Sequence, residues 1–298
     1  MAGPILITGS VGFVGPHLLA ELSGEGASFD ADVTDSKAVV DAVAETSPTA
    51  VVHLAALSSV ADSWSATSEV WRVNVVGTVD VLDAVRAVAP QARVLVASTG
   101  EVYGNAEKTP TSETAPVAPV SPYAASKAAA ELACEQAARD GIDVVVARAF
   151  QHEGPGRDER FAVGSWTAQL ARLEEAGGGT LAVGDLSARR DITDVRDVVR
   201  AYRLLLDPSV PGGTYNVSSG RTVTMQEVLD ILLGMARCPV EVEQEPSRMR
   251  PSEIAIVGGD SSKLAAATGW QPTIALEQTL ADTLEAARAA AATRMASA

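Results

Sequence analysis

The sequence predicts an α/β protein whose core is a doubly wound parallel sheet. Short runs rich in β-branched residues alternate with longer helical patterns through the first half of the chain, which is typical of successive β–α–β units. These runs are almost continuously apolar, as at 4–8 and 50–54, and strands of this kind are buried on both faces of a sheet. A glycine-rich turn directly follows the first run. The three observations predict a Rossmann-type fold with a smaller, mostly C-terminal α/β domain beside it.

The expected elements of the first half follow one another in regular order. We predict strands at 4–8, 50–54, 93–97 and 143–148, and helices at 12–22, 69–88 and 122–140. The strand after the first helix must be short, because only residues 26–31 are available to it before Asp32. Ser121 suits an N-cap and Pro122 suits a first helical position.

The regular alternation of strand and helix patterns ends after residue 150, where glycines and prolines interrupt it. Further on we predict a sheet strand at 214–217, a helix that a capping box opens at Thr224 and that ends at Met235, an exposed strand at 240–244, and a fraying helix at 286–298.

The composition excludes several classes of function. The 298 residues include 23 Lys and Arg against 38 Asp and Glu, so the net charge is −15 and the pI is near 4.6. Such a chain lacks the basic face that nucleic acid or an anionic membrane surface requires, and we expect neither as a partner. Cys134 and Cys238 give neither a metal-ligand spacing nor a disulfide framework, so we expect no bound metal. Without a basic leader or an apolar run of about 20 residues, we expect a cytoplasmic protein.

The turn after the first strand has the spacing of a dinucleotide-binding loop. Gly9, Gly12 and Gly15 follow one another at intervals of three residues. Gly9 permits a tight turn, Gly12 lets a diphosphate approach the helix N-terminus, and Gly15 lets the helix pack closely on the strand. We expect this loop, including Phe13 and Val14, to bind a nicotinamide cofactor.

This loop also defines the expected domains, whose boundary we place near residue 150. Residues 1–150, with later returns near 186–220, form the dinucleotide-binding domain. Residues 151–298 form mainly the substrate domain.

The short second strand bears on the choice of cofactor. A 2′-phosphate is usually held by an arginine near the end of this strand, but the first arginine of the chain is Arg72 and the only earlier basic residue is Lys37. Asp30 is suited to bind an unphosphorylated ribose, with a solvated turn residue as the alternative, and Asp32 and Val33 would lie at the adenine edge. We therefore expect NAD(H) to be favoured over NADP(H).

A Y-x-x-x-K pattern begins one of the predicted helices. Tyr123 and Lys127 are one turn apart and share a helix face. A tyrosine that exchanges a proton with a sugar oxygen at neutral pH should have a pKa of roughly 7 rather than about 10, and the Lys127 ammonium and an oxidised nicotinamide are sources of that lowering. Thr99 and Glu101 follow the strand at 93–97, at the sheet edge where ligands bind. We expect Thr99 to hydrogen-bond the same oxygen as Tyr123, and Glu101 to act as a base or to hold a hydroxyl.

These segments resemble those of the extended short-chain dehydrogenase/reductase family, which comprises nucleotide-sugar epimerases, dehydratases and reductases. The matching stretches are 8–15, 53–56, 74–78, 98–104, 123–127 and 190–198. The resemblance implies that Leu54, Ala55 and Ala56 contact the cofactor and that the substrate is a nucleotide-diphosphate sugar. It also implies that the helices at 69–88 and 122–140 pair across a homodimer as a four-helix bundle.

Within the family the chain is most similar to the reductases of GDP-4-keto-6-deoxymannose, and also to the GDP-mannose 4,6-dehydratases. The stretches 149–156, 189–191 and 248–253 carry this likeness. It implies a set of substrate-binding residues, namely Gln151, Arg190, Arg250 and Glu253. Arginine suits phosphate, although a solvated surface position is the alternative for Arg190. The chain departs from the family where Gln151 replaces the usual asparagine and Ile192 the usual aromatic residue.

Four functions remain open at this point. A reductase would add hydride to C4 of a 4-keto-6-deoxy sugar nucleotide while Tyr123 protonates O4. A 4,6-dehydratase would need a base at C5, for which Glu101 is placed, and a 4-epimerase is a third possibility. A non-catalytic NAD-binding protein is disfavoured, because Thr99 and Lys127 accompany Tyr123. We expect the reductase.

Overall fold

The computed structural model describes residues 3–249 and 254–296. Its strands are β1 (Ile5–Thr8), β2 (Gly26–Phe29), β3 (Ala50–His53), β4 (Arg93–Thr99), β5 (Val144–Ala149), β6 (Gln151–Glu153), β7 (Gly179–Val183), β8 (Arg189–Asp194), β9 (Gly213–Val217), β10 (Thr222–Thr224), β11 (Val240–Gln244) and β12 (Ile256–Val257). Its α-helices are α1 (Val14–Glu21), α2 (Ser36–Thr46), α3 (Val60–Ser63), α4 (Thr67–Trp71), α5 (Gly77–Val88), α6 (Pro122–Arg139), α7 (Ala162–Ala176), α8 (Val195–Leu205), α9 (Met225–Gly234), α10 (Ser262–Thr268) and α11 (Leu276–Ala296).

Six strands form one parallel sheet in the order β2-β1-β3-β4-β5-β9. Every residue of β1, β3 and β5 is buried, as their continuous apolar sequences require. The chain leaves β1 towards β2 and returns on the other side to β3, so the winding reverses between β1 and β3. The predicted doubly wound parallel sheet is confirmed, and the reversal creates a crevice at the carboxyl ends of these strands.

Helices cover both faces of the sheet. On one face α1 and α8 bury Leu18 and Tyr202, and Trp270 packs in the same cluster. On the other face α2, α5 and α6 bury Val43, Val85 and Cys134 against the strands. The six-stranded sheet is therefore enclosed on both sides.

The second half of the chain forms two smaller sheets. β8 pairs with β10 in antiparallel fashion and with β6 and β12 in parallel fashion, and β7 pairs with β11. Helices α7, α9 and α11 pack around them through Trp166, Leu229 and Leu280. Within 186–220, β9 is a strand of the six-stranded sheet and α8 packs on that sheet, whereas β8 belongs to one of the smaller sheets.

Two helices differ from the sequence expectation. The helix predicted at 69–88 is interrupted by a π-helical turn over Arg72–Val76, and the widened turn contains Asn74, whose polar side chain is buried. The helix expected only from residue 286 begins at Leu276, because Leu280 and Leu284 are fully buried in the second core. The capping box at Thr224 is confirmed.

Within residues 3–249 and 254–296, no helix is long and apolar enough to cross a membrane. The same residues contain no group of His, Cys, Asp and Glu side chains that could hold a metal ion.

Candidate active site

A cavity of about 430 Å³ lies at the carboxyl ends of β4 and β5, where the six-stranded sheet faces the smaller sheets. Its lining includes Thr99, Glu101, Tyr123, Gln151, Arg157 and Arg190. The fold therefore brings three of the candidate catalytic side chains and two of the candidate substrate residues to one shared space.

The glycine-rich turn has the geometry that the sequence predicts. Gly9 has φ +71°, and a Cβ there would lie 2.6 Å from the backbone nitrogen of Ala55. A Cβ on Gly15 would overlap the carbonyl oxygen of Ser10. Gly12 differs, because among the described residues a Cβ there would meet only the Gly9 oxygen, at 3.2 Å. Gly9 and Gly15 thus serve close packing, and the space above Gly12 is open to a ligand.

The N-terminus of α1 fits a diphosphate. Phe13 occupies the N-cap without a capping side-chain hydrogen bond, and the first turn carries no acidic residue. Free N–H groups at a helix start are a site for phosphate. The side chains of Phe13 and Val14 contact other parts of the protein, since the Phe13 ring stacks on His152 at 5.9 Å and Val14 packs on the core. Phe13 and Val14 can therefore serve a cofactor through their backbone.

Acidic side chains follow β2, and the structure brings an arginine to them. The Ser10 hydroxyl donates to the Asp30 carboxylate. Asp32 accepts hydrogen bonds from Thr34, and Arg72 lies 3.5 Å from its carboxylate. Val33 is only 4% exposed and packs in the core. The structure thus brings Arg72 to a loop near which we expected no arginine.

The segment after β3 is tied to the helix that carries Tyr123. Leu54, Ala55 and Ala56 follow β3 and are half-buried. Just beyond them, the Leu57 backbone N–H donates to the Asn74 side chain, which donates in turn to the Ser126 hydroxyl at 2.9 Å. The buried Asn74 therefore fixes the expected cofactor segment against α6.

Tyr123 and Thr99 form the centre of the site. Both side chains are buried and line the same cavity, and Thr99 lies close enough to lower the pKa of Tyr123. Burial raises the pKa of Tyr123 to about 12, because the desolvation cost outweighs the lowering by Thr99 and by the charge of Arg157, and Glu101 raises it further. The expected lowering to near neutrality is therefore wrong for the protein's own groups. Tyr123 is instead held protonated at neutral pH.

Lys127 lies one turn further along α6 and is 3% exposed. Burial lowers its pKa to about 8, so the ammonium is charged at neutral pH at a cost in stability. None of the described residues accepts a hydrogen bond from it. Three N–H donors are thus available to the hydroxyls of a ribose.

His53, at the end of β3, is not a catalytic base. Its ring is hydrogen-bonded to the hydroxyls of Thr8 and Thr78. Burial, together with the charge of Lys127, lowers its pKa to about 3. His53 is therefore a neutral structural residue.

A buried polar network lies behind Thr99 and Tyr123. The Ser98 hydroxyl and the Arg148 guanidinium both donate to the Glu131 carboxylate, with 2.6 Å between Arg148 Nη2 and Glu131 Oε2. Arg148 also donates to the Tyr103 hydroxyl at 2.9 Å. The network joins the end of β4 to α6 and β5, and so fixes Thr99 relative to Tyr123. No local pattern predicts this network, although Glu131 stands one turn after Lys127 on the same helix face.

The candidate substrate residues come from separate segments. Gln151 donates to Glu153 at 3.0 Å. Arg190 is 8% exposed, and its Nη1 donates to the backbone oxygens of Arg189 and Ile254 at 2.9 and 2.8 Å, so part of its donor capacity serves the fold. Arg250 and Glu253 lie outside the described residues.

The departure at position 192 has a packing explanation. Ile192 is 7% exposed and belongs to the core of the smaller sheets. Its side chain is not among those that line the cavity. The aliphatic residue therefore fills the second core rather than contacting a ligand.

The comparison with known proteins agrees with this geometry. The family model described as GDP-mannose 4,6 dehydratase matches residues 23–283. The chain belongs to this family. The family sits within the extended short-chain dehydrogenase/reductases, and the resemblance found in the sequence is confirmed.

Individual relatives extend over almost the whole chain. GDP-6-deoxy-D-mannose reductase of Pseudomonas aeruginosa is 35% identical over 94% of this chain and 95% of its own length. UDP-glucose 4-epimerase of Mycolicibacterium smegmatis is 32% identical over 94% of this chain and 97% of its own. The structure of RMD from Pseudomonas aeruginosa complexed with NADPH superposes with a TM-score of 0.89 at 34% identity, covering 97% of this chain and 100% of that one. As a member of the family, the chain is an NAD(P)-dependent nucleotide-sugar enzyme.

Proposed function

We propose that the enzyme reduces the C4 ketone of a nucleotide-diphosphate 4-keto-6-deoxyhexose, with GDP as the nucleotide. The observation that carries this proposal is Tyr123, which is buried at the cavity wall beside Thr99 and is held protonated. Tyr123 donates its proton to O4 of the sugar, and Thr99 orients the same oxygen. A reduced nicotinamide, when bound, supplies the hydride to C4.

The described residues suit a dinucleotide. The open space above Gly12 and the uncapped start of α1 suit its diphosphate. The Lys127 ammonium, which has no acceptor among these residues, suits the ribose beside the nicotinamide. The segment Leu54 to Ala56 lies next to Gly9 and would border the adenosine half.

We assign NADH as the preferred cofactor. The carboxylate of Asp30 follows β2, where it would accept hydrogen bonds from a free 2′-hydroxyl and would repel a 2′-phosphate. Arg72, the only nearby arginine among the described residues, is engaged by Glu69 at 2.7 Å and by Thr34 and Asp32. Its charge is therefore balanced by two carboxylates.

The proposal also assigns a separate binding function to each of the two parts of the chain. Residues 1–150, with the return by α8 and β9, would bind the dinucleotide. The remainder of 151–298 would bind the nucleotide sugar through Gln151 and Arg190, together with Arg250 and Glu253.

A 4,6-dehydratase is the second candidate. Glu101 lines the cavity with Tyr123, and its charge raises the pKa of Tyr123. A carboxylate would therefore lie near the reacting carbons of a bound sugar. A 4-epimerase stays a third candidate, since it would use Tyr123 and Lys127 alike.

One assay separates these functions. The purified protein is mixed with GDP-4-keto-6-deoxymannose and NADH, and in parallel with GDP-mannose or UDP-glucose without added cofactor. A reductase consumes one NADH for each sugar reduced. Conversion of GDP-mannose to its 4-keto product without net NADH loss would instead identify a dehydratase, and production of UDP-galactose an epimerase. Tyr123→Phe serves as the inactive control in every arm.

We also propose a homodimer. Large apolar side chains are exposed along the helical run 67–88 and on α6, namely Trp71 at 41%, Val76 at 48%, Val79 at 37% and Leu132 at 66%. Such a patch is typical of an interface. Leu132→Glu should convert dimer to monomer in sedimentation analysis, whereas Val242→Glu, on the exposed strand β11, should not. A dimer that persists in Leu132→Glu would rule out this face.

A further inference from the structure

An arginine that the sequence analysis did not consider lies in the cavity wall. Arg157 follows β6, and its side chain is 11% exposed. Its guanidinium carbon lies 3.7 Å from the centre of the Phe161 ring and 4.8 Å from that of Phe13. Phe13 belongs to the glycine-rich turn, and Phe161 precedes α7. One cation is therefore packed between the expected cofactor loop and the substrate side.

The Arg157 side chain forms one ion pair and no hydrogen bond of good geometry with the described residues. Its Nε is buried and has no hydrogen-bond partner among the described residues. The nearest anion is Glu153, whose Oε2 lies 3.2 Å from that Nε and is also without a hydrogen bond. A guanidinium has five N–H donors, and Arg157 borders the same cavity as Tyr123. Oxygen atoms of a ligand there could accept these bonds.

Glu153 explains why the cation lies at this place. Its side chain is fully buried, and burial raises the pKa of its carboxyl group. Gln151 donates to one carboxylate oxygen, and Arg157 lies against the other. A buried ion pair is a poor source of stability, so an ion pair in the wall of the active cavity points to a role in binding.

The charge and shape of the group indicate the ligand. Arginine binds phosphate oxygens with two parallel N–H groups. The Nη1 group of Arg190, the arginine that we expected at the diphosphate, is already used by two backbone carbonyls. The charge of Arg157 also lowers the pKa of Tyr123, which places it close to the reacting end of the cleft.

We propose that Arg157 binds a diphosphate group in the cleft and that Glu153 is its positioning residue. The proposal rests on the proposed function, and the diphosphate is that of the dinucleotide or that of the nucleotide sugar. The location between Phe13 and the substrate cavity allows both sources, and the experiment distinguishes them.

The test measures affinities by calorimetry with NADH, GDP and UDP as separate probes. Arg157→Gln should weaken binding about 10- to 100-fold, the loss expected for charge-assisted hydrogen bonds. A loss confined to NADH identifies the cofactor diphosphate, and a loss confined to GDP and UDP identifies that of the substrate. Arg237→Gln, at a 63% exposed position that does not line the cavity, removes the same charge and should leave all three affinities unchanged. Unchanged affinities in Arg157→Gln would overturn the proposal.

Two further variants keep the proposal testable if Arg157→Gln unfolds. Arg157→Lys keeps the charge beside Glu153 but lacks the paired donors, so it should fold and bind about 3- to 10-fold more weakly. Wild-type affinity in this variant would also overturn the proposal. Glu153→Gln should weaken binding by itself but add nothing in the Arg157→Gln background. If the effects of the two substitutions on the binding free energy were fully additive, Glu153 would not be a positioning residue for Arg157. If the wild type binds neither NADH nor a nucleotide, the proposed function fails instead.

Discussion

The two ends of the cleft are built in different ways. At the proposed reaction end, Thr99, Tyr123 and Lys127 come from β4 and α6, and a buried network behind them fixes the strand against the helix. At the proposed substrate end, Gln151 and Arg157 share Glu153 as a partner, and Arg190 comes from the distant strand β8. The proposed reaction end is therefore supported by buried hydrogen bonds, whereas the proposed substrate end depends on how two distant segments pack. Changes at the first should abolish chemistry, and changes at the second should alter affinity.

The largest effect should follow Tyr123→Phe. Only the hydroxyl that contacts Thr99 is lost, so folding and NADH affinity should survive while kcat falls roughly 10²–10⁴-fold. Tyr215→Phe is the matched control, because its hydroxyl donates to the Pro211 carbonyl oxygen at the far edge of the sheet. If Tyr123→Phe turned over at the wild-type rate, Tyr123 would not be the proton donor, and the proposed reaction end would be wrong.

Two glycine variants should separate cofactor binding from packing. Gly12→Val should fold normally and lose about 10- to 100-fold in NADH affinity, since its side chain fills the space for the diphosphate. Gly15→Ala should instead lower the free energy of unfolding by about 1–3 kcal/mol, because its Cβ meets the Ser10 carbonyl. Calorimetric titration and thermal unfolding measure the two effects. Tight NADH binding by Gly12→Val would contradict the assignment of this loop.

Lys127→Met should make the protein more stable and less able to bind NADH. Burial lowers the pKa of Lys127 from 10.5 to about 8, so between these values the unfolded chain binds more protons than the folded one. The contribution of Lys127 to stability should therefore rise with pH across that window, and below it the penalty should be about 3 kcal/mol. Lys127→Met should recover that amount at pH 7, and its stability advantage over the wild type should shrink as the pH rises towards 10.5. Denaturant titrations at several pH values test the sign, and a less stable methionine variant would refute it.

Arg190→Ala should affect the substrate end alone. We expect KM for the nucleotide sugar to rise about 10- to 100-fold, with NADH affinity intact, if Arg190 contacts phosphate as well as the backbone. Melting temperatures are recorded in parallel, because the contacts to Arg189 and Ile254 are lost too. An unchanged KM would leave Arg190 with a purely structural role.

The smallest effect should be that of Glu101→Gln. A C4 reductase deprotonates no carbon, so this variant should lose less than about tenfold in kcat/KM through poorer positioning of the sugar. In a 4,6-dehydratase the same change should be nearly as damaging as Tyr123→Phe. A near-inactive variant that still binds nucleotide would favour the lyase.

Much of the first half could be predicted because its signals are local. Continuous apolar runs specify strands buried on two faces, and the spacing of Gly9, Gly12 and Gly15 specifies the turn that follows β1. The Y-x-x-x-K spacing places Tyr123 and Lys127 on one helix face. The sequence patterns do not predict helices α2, α7 and α8. They also do not predict the π turn around Asn74, because the partners that stabilise this turn lie far along the chain.

The sequence by itself determined the doubly wound sheet and the family, and it indicated the residues of the proposed reaction end, since short-range spacing and apolar periodicity depend only on residues close together in the chain. Tertiary structure decided the rest. It brought Arg72 to the loop after β2, buried Tyr123 so that its pKa rises rather than falls, and seated Arg157 between Phe13 and the cavity. Charges, desolvation and contacts between distant segments depend on what surrounds a side chain in three dimensions, which no local pattern records.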